Sequence, residues 1–480
     1  MEQEQHDTRV AAPDWLMHEL DGHRFFDARL AKRLQELATQ LWTHFGQSIP
    51  MACQDWANTK AAYRFLDNSN VHEDVILEGH FRATRERVDA IKGPLLILHD
   101  TTNFSFKREK PQAVGITNKS FTGRDEEGRP KSRTICGILM HSSLVVTPDG
   151  LPLGLAAIKF WNRQQFKGCS LLKRKINPTR VPVETKESFR WLDNLRRSTN
   201  LLDDPGRCVH VGDREGDIYE LFCLALELDT HFLIRACADR MVGDGSHTIV
   251  DEMAEARVRG VHRVEVHDAR GNPSIAVLEL RFKKIRIRPP VGKRARYPDL
   301  VLTVLHATER GAPVGRERLD WKLFTDMPVT SRTQAIEKLH WYATRWKIET
   351  FHKIMKSGCK IEESKLRTSE RLVNLIALYC ILGWRIFWTT MMHRSVPTAP
   401  AKTAFTAQEV SLLDRLVPSS PKSDNIRTEL STYLYKLACL GGYLGRSRDP
   451  PPGNIVIWRG LARLTEIELG FELALEIVGN

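Results

Sequence analysis

The chain has little of what would mark it as secreted, membrane-embedded or repetitive. Its nine cysteines, at positions 53, 136, 169, 208, 223, 237, 359, 380 and 439, are odd in number and form no CxxC pair. This argues against a disulfide framework and against a cysteine-based zinc site, and it suits a reducing cytoplasm. The opening residues, MEQEQHDTRVAAPDW, are polar and lack the apolar core of a signal peptide. There is no internal repeat and no low-complexity tract. Only one hydrophobic run is long enough for a bilayer, Leu372 to Met392, and it carries Asn374 and Arg385. An arginine is costly at a bilayer centre, so the run reads as a helix buried in a bundle, with no membrane partner expected.

What is present is ordinary for a soluble protein except in charge. Apolar residues make up 42% and charged residues 27%. Lys and Arg number 71 against 59 Asp and Glu, a net charge of +12. Such an excess favours a polyanionic partner, although a basic soluble protein without one has the same balance. At 480 residues the chain is too long for one compact core and suggests two or three domains.

Periodicity divides it. Residues 14–45 alternate at helical spacing, with Leu30, Leu34, Leu37, Ala38 and Leu41 on one face and Arg24, Arg29, Lys32 and Arg33 on or beside the other. A second helical stretch near 54–66 ends in the turn-prone Asp67-Asn68-Ser69-Asn70. Residues 1–75 thus read as a small helical domain. The period then shortens. Pro94 to His99 is a continuous apolar run ending at Asp100, as in a strand buried on both faces. Strands follow at 135–146 and 151–159 around Pro148-Asp149-Gly150, then a helix over 184–197. A buried strand at 208–212 leads into Asp213 and a helical stretch to about 228, and a further strand spans 231–236. This order predicts a mixed α/β sheet with helices on its faces.

Residues 238–320 look strand-like and basic, a β-rich insertion in the α/β domain. Arg281 to Arg296 holds eight basic residues and no acid. Its alternation suggests a strand with one basic face, either a platform for phosphates or an edge strand protected by charge. A strand resumes at 321–325. Ser331 or Thr333 can cap a long helix running to Ser357, with Gly358 as its stop. The remainder is helical, broken by prolines at 396–400, 418–421 and 450–452. The expected boundaries are therefore 1–75, 76–365 and 366–480.

Two features carry chemistry. On the long helix, Tyr342, Arg345, Glu349 and Lys356 are spaced i, i+3, i+7 and i+14, near whole numbers of turns, so they share one face. A salt-bridged exposed face would look similar. Asp100 and Asp213 each follow a buried strand, where α/β sheets place ligand groups, and where an Asp can equally cap a helix. Three converging carboxylates repel one another unless divalent cations join them. Mg²⁺ or Mn²⁺ prefers such oxygen ligands, and a shared carboxylate can bridge two ions roughly 3.5–4 Å apart.

At these residues the sequence resembles the bacterial cut-and-paste DDE transposases of the insertion-sequence-four type. Asp100-Thr-Thr, Asp213-Arg-Glu-Gly-Asp and the complete Tyr342/Arg345/Glu349/Lys356 stripe carry the likeness. So do Asp27-Ala-Arg-Leu-Ala-Lys-Arg-Leu, Gly46-Gln-Ser-Ile, Ala62-Tyr-Arg-Phe-Leu, Lys186-Glu-Ser with Trp191, Trp321, Leu440-Gly-Gly-Tyr and Ile457-Trp-Arg-Gly-Leu. The resemblance implies a ribonuclease-H-like core with a β insertion, an N-terminal domain that binds the transposon end, and a helical C-terminal domain that dimerises. It implies catalysis by Asp100, Asp213 and Glu349 holding two Mg²⁺ or Mn²⁺ ions, with no small-molecule cofactor. It also implies double-stranded DNA as partner, both transposon ends and target. The reaction would run through nicking, a hairpin on the transposon end, hairpin opening and strand transfer. Trp321 would stack a displaced base, Tyr342, Arg345 and Lys356 would hold adjacent phosphates, and Arg214 and Arg33 are further DNA contacts. By residues alone Trp321 reads rather as a core aromatic. A junction-resolving nuclease would keep the carboxylates without the hairpin apparatus, and a non-catalytic DNA-binding relic would be expected to lose one of them.

Overall fold

A computed structural model of the chain describes residues 12–22, 25, 27–108, 110–124, 127–163, 181–243, 245–267, 273–313, 315–418, 429–446 and 449–478. Arg24 and most of the proline stretch at 418–421 lie outside the described residues. Five helices come first: α1 (Asp14–Leu20), α2 (Ala28–Thr43), α3 (Ile49–Cys53), α4 (Trp56–Leu66) and α5 (Glu73–Asp89). The stretch of helical spacing over 14–45 holds two helices. Gly22, at φ +79°, turns the chain between them. Asp27 caps α2 by accepting the Arg29 N–H, and Leu34, Leu37, Ala38 and Leu41 are buried as their spacing demands.

The strands and their helices follow in order: β1 (Leu95–Phe106), β2 (Ile116–Arg124), β3 (Pro130–Val146), β4 (Pro152–Trp161), α6 (Phe189–Leu202), β5 (Cys208–Gly212), α7 (Tyr219–Glu227) and β6 (His231–Arg235). The helix expected from Glu184 begins at Phe189, because residues 183–185 form a 3₁₀ turn after Pro182. β4, β3 and β1 pair antiparallel, and β5 and β6 add parallel to β1. The mixed sheet with helical flanks is consistent with a ribonuclease-H-like core.

Next come β7 (Met241–Val242), β8 (His247–Thr248), α8 (Ile249–Glu255), β9 (Gly260–His267), β10 (Pro273–Ile287), β11 (Leu300–Glu309) and β12 (Asp320–Thr325). They form no sheet of their own. β12 pairs with β6 and with β11, which continues to β10, giving one twelve-stranded sheet. Along β10, Ala276, Leu278, Leu280 and Phe282 join one core cluster, whereas Ile285 and Ile287 join another. These two sets point to opposite faces, because strand side chains alternate. Lys284 and Arg286 then continue the first face, exposed. The expected basic face is narrower than the composition suggests. Arg281 pairs with Glu279, Lys283 with Glu252, Lys293 with Glu220 and Arg296 with Glu184.

The expected long helix is α9 (Arg332–Thr344), α10 (Trp346–Lys353) and a π turn at Ile354–Gly358. The break has a backbone cause. The Arg345 N–H bonds Tyr342 O and the Ile348 N–H bonds Arg345 O, a tightening to i−3, while the Cys359 N–H reaches back to Ile354 O.

α11 (Ser369–Ser395), α12 (Ala407–Leu416), α13 (Leu430–Leu440) and α14 (Asn454–Val478) complete the chain. α11 is long and apolar enough to cross a membrane, yet 83% of its apolar window is buried inside the protein. Asn374 and Arg385 hold neighbours together: Asn374 donates to Leu66 O and Val71 O, and Arg385 donates to Ala404 O between the rings of Trp15 and Trp388.

One hydrophobic cluster takes Leu16 from α1, Leu98 from β1, Ile348 from α10 and Leu464 from α14. A buried polar clamp reinforces it. His80 on α5 faces Glu19 on α1 through Nδ1, and its Nε2 accepts the Leu155 N–H of β4. Arg87 also pairs with Glu19 and lies 4.2 Å over Trp384. Burial pushes the Glu19 carboxyl up, but His80 and Arg87 outweigh it and hold the pKa at about 2.

Candidate active site

β1 was expected to end at Asp100, and it runs on to Phe106. β3 keeps pairing with it as far as Phe106↔Cys136. What stops early is the parallel partner: β1 and β5 are in register only to Leu98↔Val211. Two residues further along each chain stand Asp100 and Asp213. Leu96 and Leu98 face the core shared with the C-terminal helices, so by alternation Asp100 faces that side and His99 the other.

Asp213 is extended and caps the 3₁₀ turn Arg214–Gly216, accepting the Glu215 N–H at 2.9 Å. Gly212 is needed before it, because a Cβ there would lie 2.7 Å from the Trp191 ring. Asp217, at the end of the same segment, has a structural task. It accepts the N–H groups of Cys237 and Ala238 and pairs with Arg240.

Glu349, on α10, comes to this face. Arg345 links it to the strand: one guanidinium nitrogen is 2.9 Å from Glu349 Oε1, another 3.9 Å from Asp100 Oδ1. Burial raises the Asp213 carboxyl, and the Asp100 charge adds to it. Burial likewise raises Glu349, with Arg345 opposing and Asp100 reinforcing. Each of the two thus lies within electrostatic reach of Asp100 and Arg345. The donor set suits a hard divalent cation, whose charge would relieve this repulsion. As placed, the Arg345 guanidinium stands between Asp100 and Glu349. Among the described residues no three His, Cys, Asp or Glu side chains are close enough to hold an ion.

The rest of the stripe is unevenly exposed. Tyr342 is 3% exposed and meets the half-buried Trp321 edge to face at 5.5 Å, with Trp321 packed against the core. Neither is an open platform. Lys356 lies in the π turn, half-buried. Arg214 lines a cavity of about 310 Å³ with Arg235, Asp320 and Lys322. Arg33 is engaged within the N-terminal helices, 3.2 Å from Asn58 Oδ1 and from Glu36 Oε2.

Sequence reasoning missed two residues here. Trp346 is 59% exposed, one turn before Glu349, with the Arg345 guanidinium 5.1 Å from its ring. An aromatic three residues before Glu349 was the available signal. His352, one turn after Glu349, is 5% exposed, with Nδ1 3.4 Å from Asp100 Oδ2 and Nε2 2.9 Å from Ser142 Oγ.

The opposite face of β1 carries a cluster of enclosed imidazoles, with the Arg190 guanidinium reaching Thr101 at its edge. His99 Nε2 meets His210 Nδ1 at 2.8 Å, Ser143 Oγ meets His99 Nδ1 at 3.0 Å, and Thr199 Oγ1 meets His210 Nε2 at 3.0 Å. His141 stacks on His99, and Trp191 covers both rings. Burial pushes the His99 imidazole down to about 3, and those of His141 and His210 well below their ordinary value.

Two family models match the chain. Residues 12–71 match one described as transposase DNA-binding, and residues 190–382 match one described as transposase DDE domain. Asp213, Glu349 and the whole Tyr342–Lys356 stripe fall within the second match, while Asp100 lies before it.

Proposed function

We propose that this chain, a DNA transposase by its matched DNA-binding and DDE domains, is a hairpin-forming cut-and-paste enzyme of the insertion-sequence-four type. The match supports an enzyme that cleaves DNA and transfers strands, and enzymes of this class use divalent metal ions. Asp100, Asp213 and Glu349 are the residues we assign to two Mg²⁺ or Mn²⁺ ions. Bound there, such ions supply an activated water and stabilise the leaving 3′ oxygen. The observation that carries this assignment is geometric: Asp100 and Asp213 each stand two residues beyond the last β1–β5 register pair, and Arg345 bridges Asp100 to Glu349.

The chain's own groups then position DNA. Arg345 leaves its carboxylate partners to take a phosphate, a pairing its planar fork suits. Lys356 and Arg214 bind phosphates on either side, and Tyr342 orients Arg345 from beneath. A hairpin drives a base out of the stack, and an aromatic face receives it at about 1–3 kcal/mol. Trp321 takes this role once its packing on Tyr342 opens, and the exposed Trp346 offers a second aromatic face next to Arg345. The N-terminal helices bind the transposon end, with Arg33 leaving Asn58 and Glu36 to make one of the contacts. The β-rich stretch 238–320 is the insertion of the catalytic domain, and 366–480 forms the dimer contact of a cytoplasmic, nucleoid-bound homodimer.

The test is cleavage of a labelled duplex carrying the element's own end, with Mg²⁺ or Mn²⁺, resolved on a denaturing gel for wild type and Glu349→Ala. A metal-dependent hairpin lost in the variant is expected. Nicks without hairpins would mean a nuclease, and binding without cleavage would mean a relic.

A further inference from the structure

The imidazole of His352 lies over a cross-strand pair. Asp100 on β1 and Ser142 on β3 are register partners, so their side chains stand side by side on one face of the sheet. His352 spans the two, with Nε2 2.9 Å from Ser142 Oγ and Nδ1 3.4 Å from Asp100 Oδ2. Ser142 is fully buried and His352 nearly so, so neither ring nitrogen has bulk water as an alternative partner. We propose that His352 is a positioning residue that fixes the Asp100 carboxylate for metal binding, its tautomer set by Ser142. The inference rests on the assignment of Asp100 as a metal ligand.

The chemistry is that of a second partner holding a metal-binding carboxylate. A serine hydroxyl can donate to Nε2, which leaves the single imidazole proton on Nδ1, aimed at Asp100 Oδ2. Such a donor would take one lone-pair direction of Oδ2 and leave the others for an ion. At 3.4 Å the contact is loose, and it shortens when the carboxylate is drawn into a metal complex, as catalytic contacts commonly do on ligand binding. Arg345 also touches Asp100, through Oδ1 at 3.9 Å. The two oxygens thus have different jobs: Oδ1 faces the group that moves to DNA, and Oδ2 faces a group that stays.

The two ring nitrogens can be tested separately. An Asn amide nitrogen falls near the position of Nδ1, and a Gln amide nitrogen near that of Nε2. The experiment uses the full chain on its end duplex. It measures Mn²⁺ affinity by calorimetry alongside cleavage for His352→Ala, His352→Asn, His352→Gln and Ser142→Ala, with thermal melting of each. His352→Ala and His352→Gln are expected to weaken Mn²⁺ binding by about 10-fold or more, and His352→Asn to stay within about 3-fold of wild type. Ser142→Ala, which frees the tautomer while leaving the ring in place, is expected to fall between them. Asn and Gln variants that melt alike but differ in Mn²⁺ affinity establish the role. Equal Mn²⁺ affinity for Asn and Gln, or an Ala variant that binds Mn²⁺ as wild type does, overturns it. Asp100→Ala is the separate control: if it still binds Mn²⁺ and cleaves, the metal assignment itself fails, whatever His352 does.

Discussion

Asp100 and His99 are neighbours on one strand, and the two faces they occupy treat ionisable groups in opposite ways. On the Asp100 side, carboxylates stand partly open to solvent against a single guanidinium. Burial and the Asp100 charge push the Asp213 and Glu349 carboxyls up, a repulsion that a cation would relieve. On the His99 side, three imidazoles are fully enclosed, bonded to one another and to hydroxyls, and burial keeps them neutral. One strand therefore separates a surface that needs a charged partner from one whose imidazoles are enclosed by the protein. A residue's capacity to carry charge says little about its use until its face is known.

The comparison breaks most visibly through single substitutions on either side. Asp100→Asn is expected to lower end cleavage by about 10³-fold or more while leaving the urea midpoint nearly unchanged. His99→Leu should do the reverse. It takes one hydrogen-bond partner from buried Ser143 and one from buried His210, which keep Asn194 and Thr199, for a loss of roughly 1–3 kcal/mol visible in urea unfolding, with cleavage per folded molecule retained. Loss of cleavage with unchanged stability in the His99 variant would erase the distinction.

Acid sharpens the contrast. Unfolded, these histidines titrate near 6.5; folded, His99 titrates only at about 3, with His141 and His210 also depressed. Groups depressed in this way give stability that is full above about 6.5 and is lost as pH falls toward 3, because the unfolded chain takes up protons the fold refuses. Each such group contributes a slope of about 1.4 kcal/mol per pH unit. Unfolding free energy measured from pH 7.5 to 5 should therefore decline below 6.5, less steeply for His210→Gln. The smallest effect belongs to β10. Lys284→Ala with Arg286→Ala should leave both faces of β1 untouched, weaken binding to any DNA duplex, and reduce the salt slope of binding by about 2.

The sequence made the carboxylates legible because each follows a short apolar run or sits at a fixed helical interval. Buried strands 208–212 and 231–235 stood out for the same reason, since strands buried on both faces read as unbroken apolar runs. The extent of β1 did not. After Asp100 its residues Thr101 to Phe106 mix polar and apolar types, and only the pairing with β3 keeps them extended. The stripe was misjudged as one straight helix, because spacing cannot show hydrogen bonds shifting to i−3 at Arg345 or i−5 at Ile354. Trp321 and Tyr342 were read for chemistry, and it takes tertiary contact to show that they pack on each other. The basic run at 281–296 overstated its free charge, because its acidic partners Glu184, Glu220 and Glu252 lie far away in the chain.

The clamp of Glu19, His80 and Arg87 has a consequence for inheritance. It ties α1 to β4 and to Trp384 of α11, and Asn374 holds the end of α4 from the same helix. The segment that matches the DNA-binding family therefore does not travel as a cassette. Grafting residues 12–71 from a relative onto this body leaves His80 and Arg87 facing a foreign side chain unless the graft brings a carboxylate at position 19. New end preferences in such a lineage must then arise by substitution on the outer surface of these helices, with their inner surface held constant by the body they are clamped to.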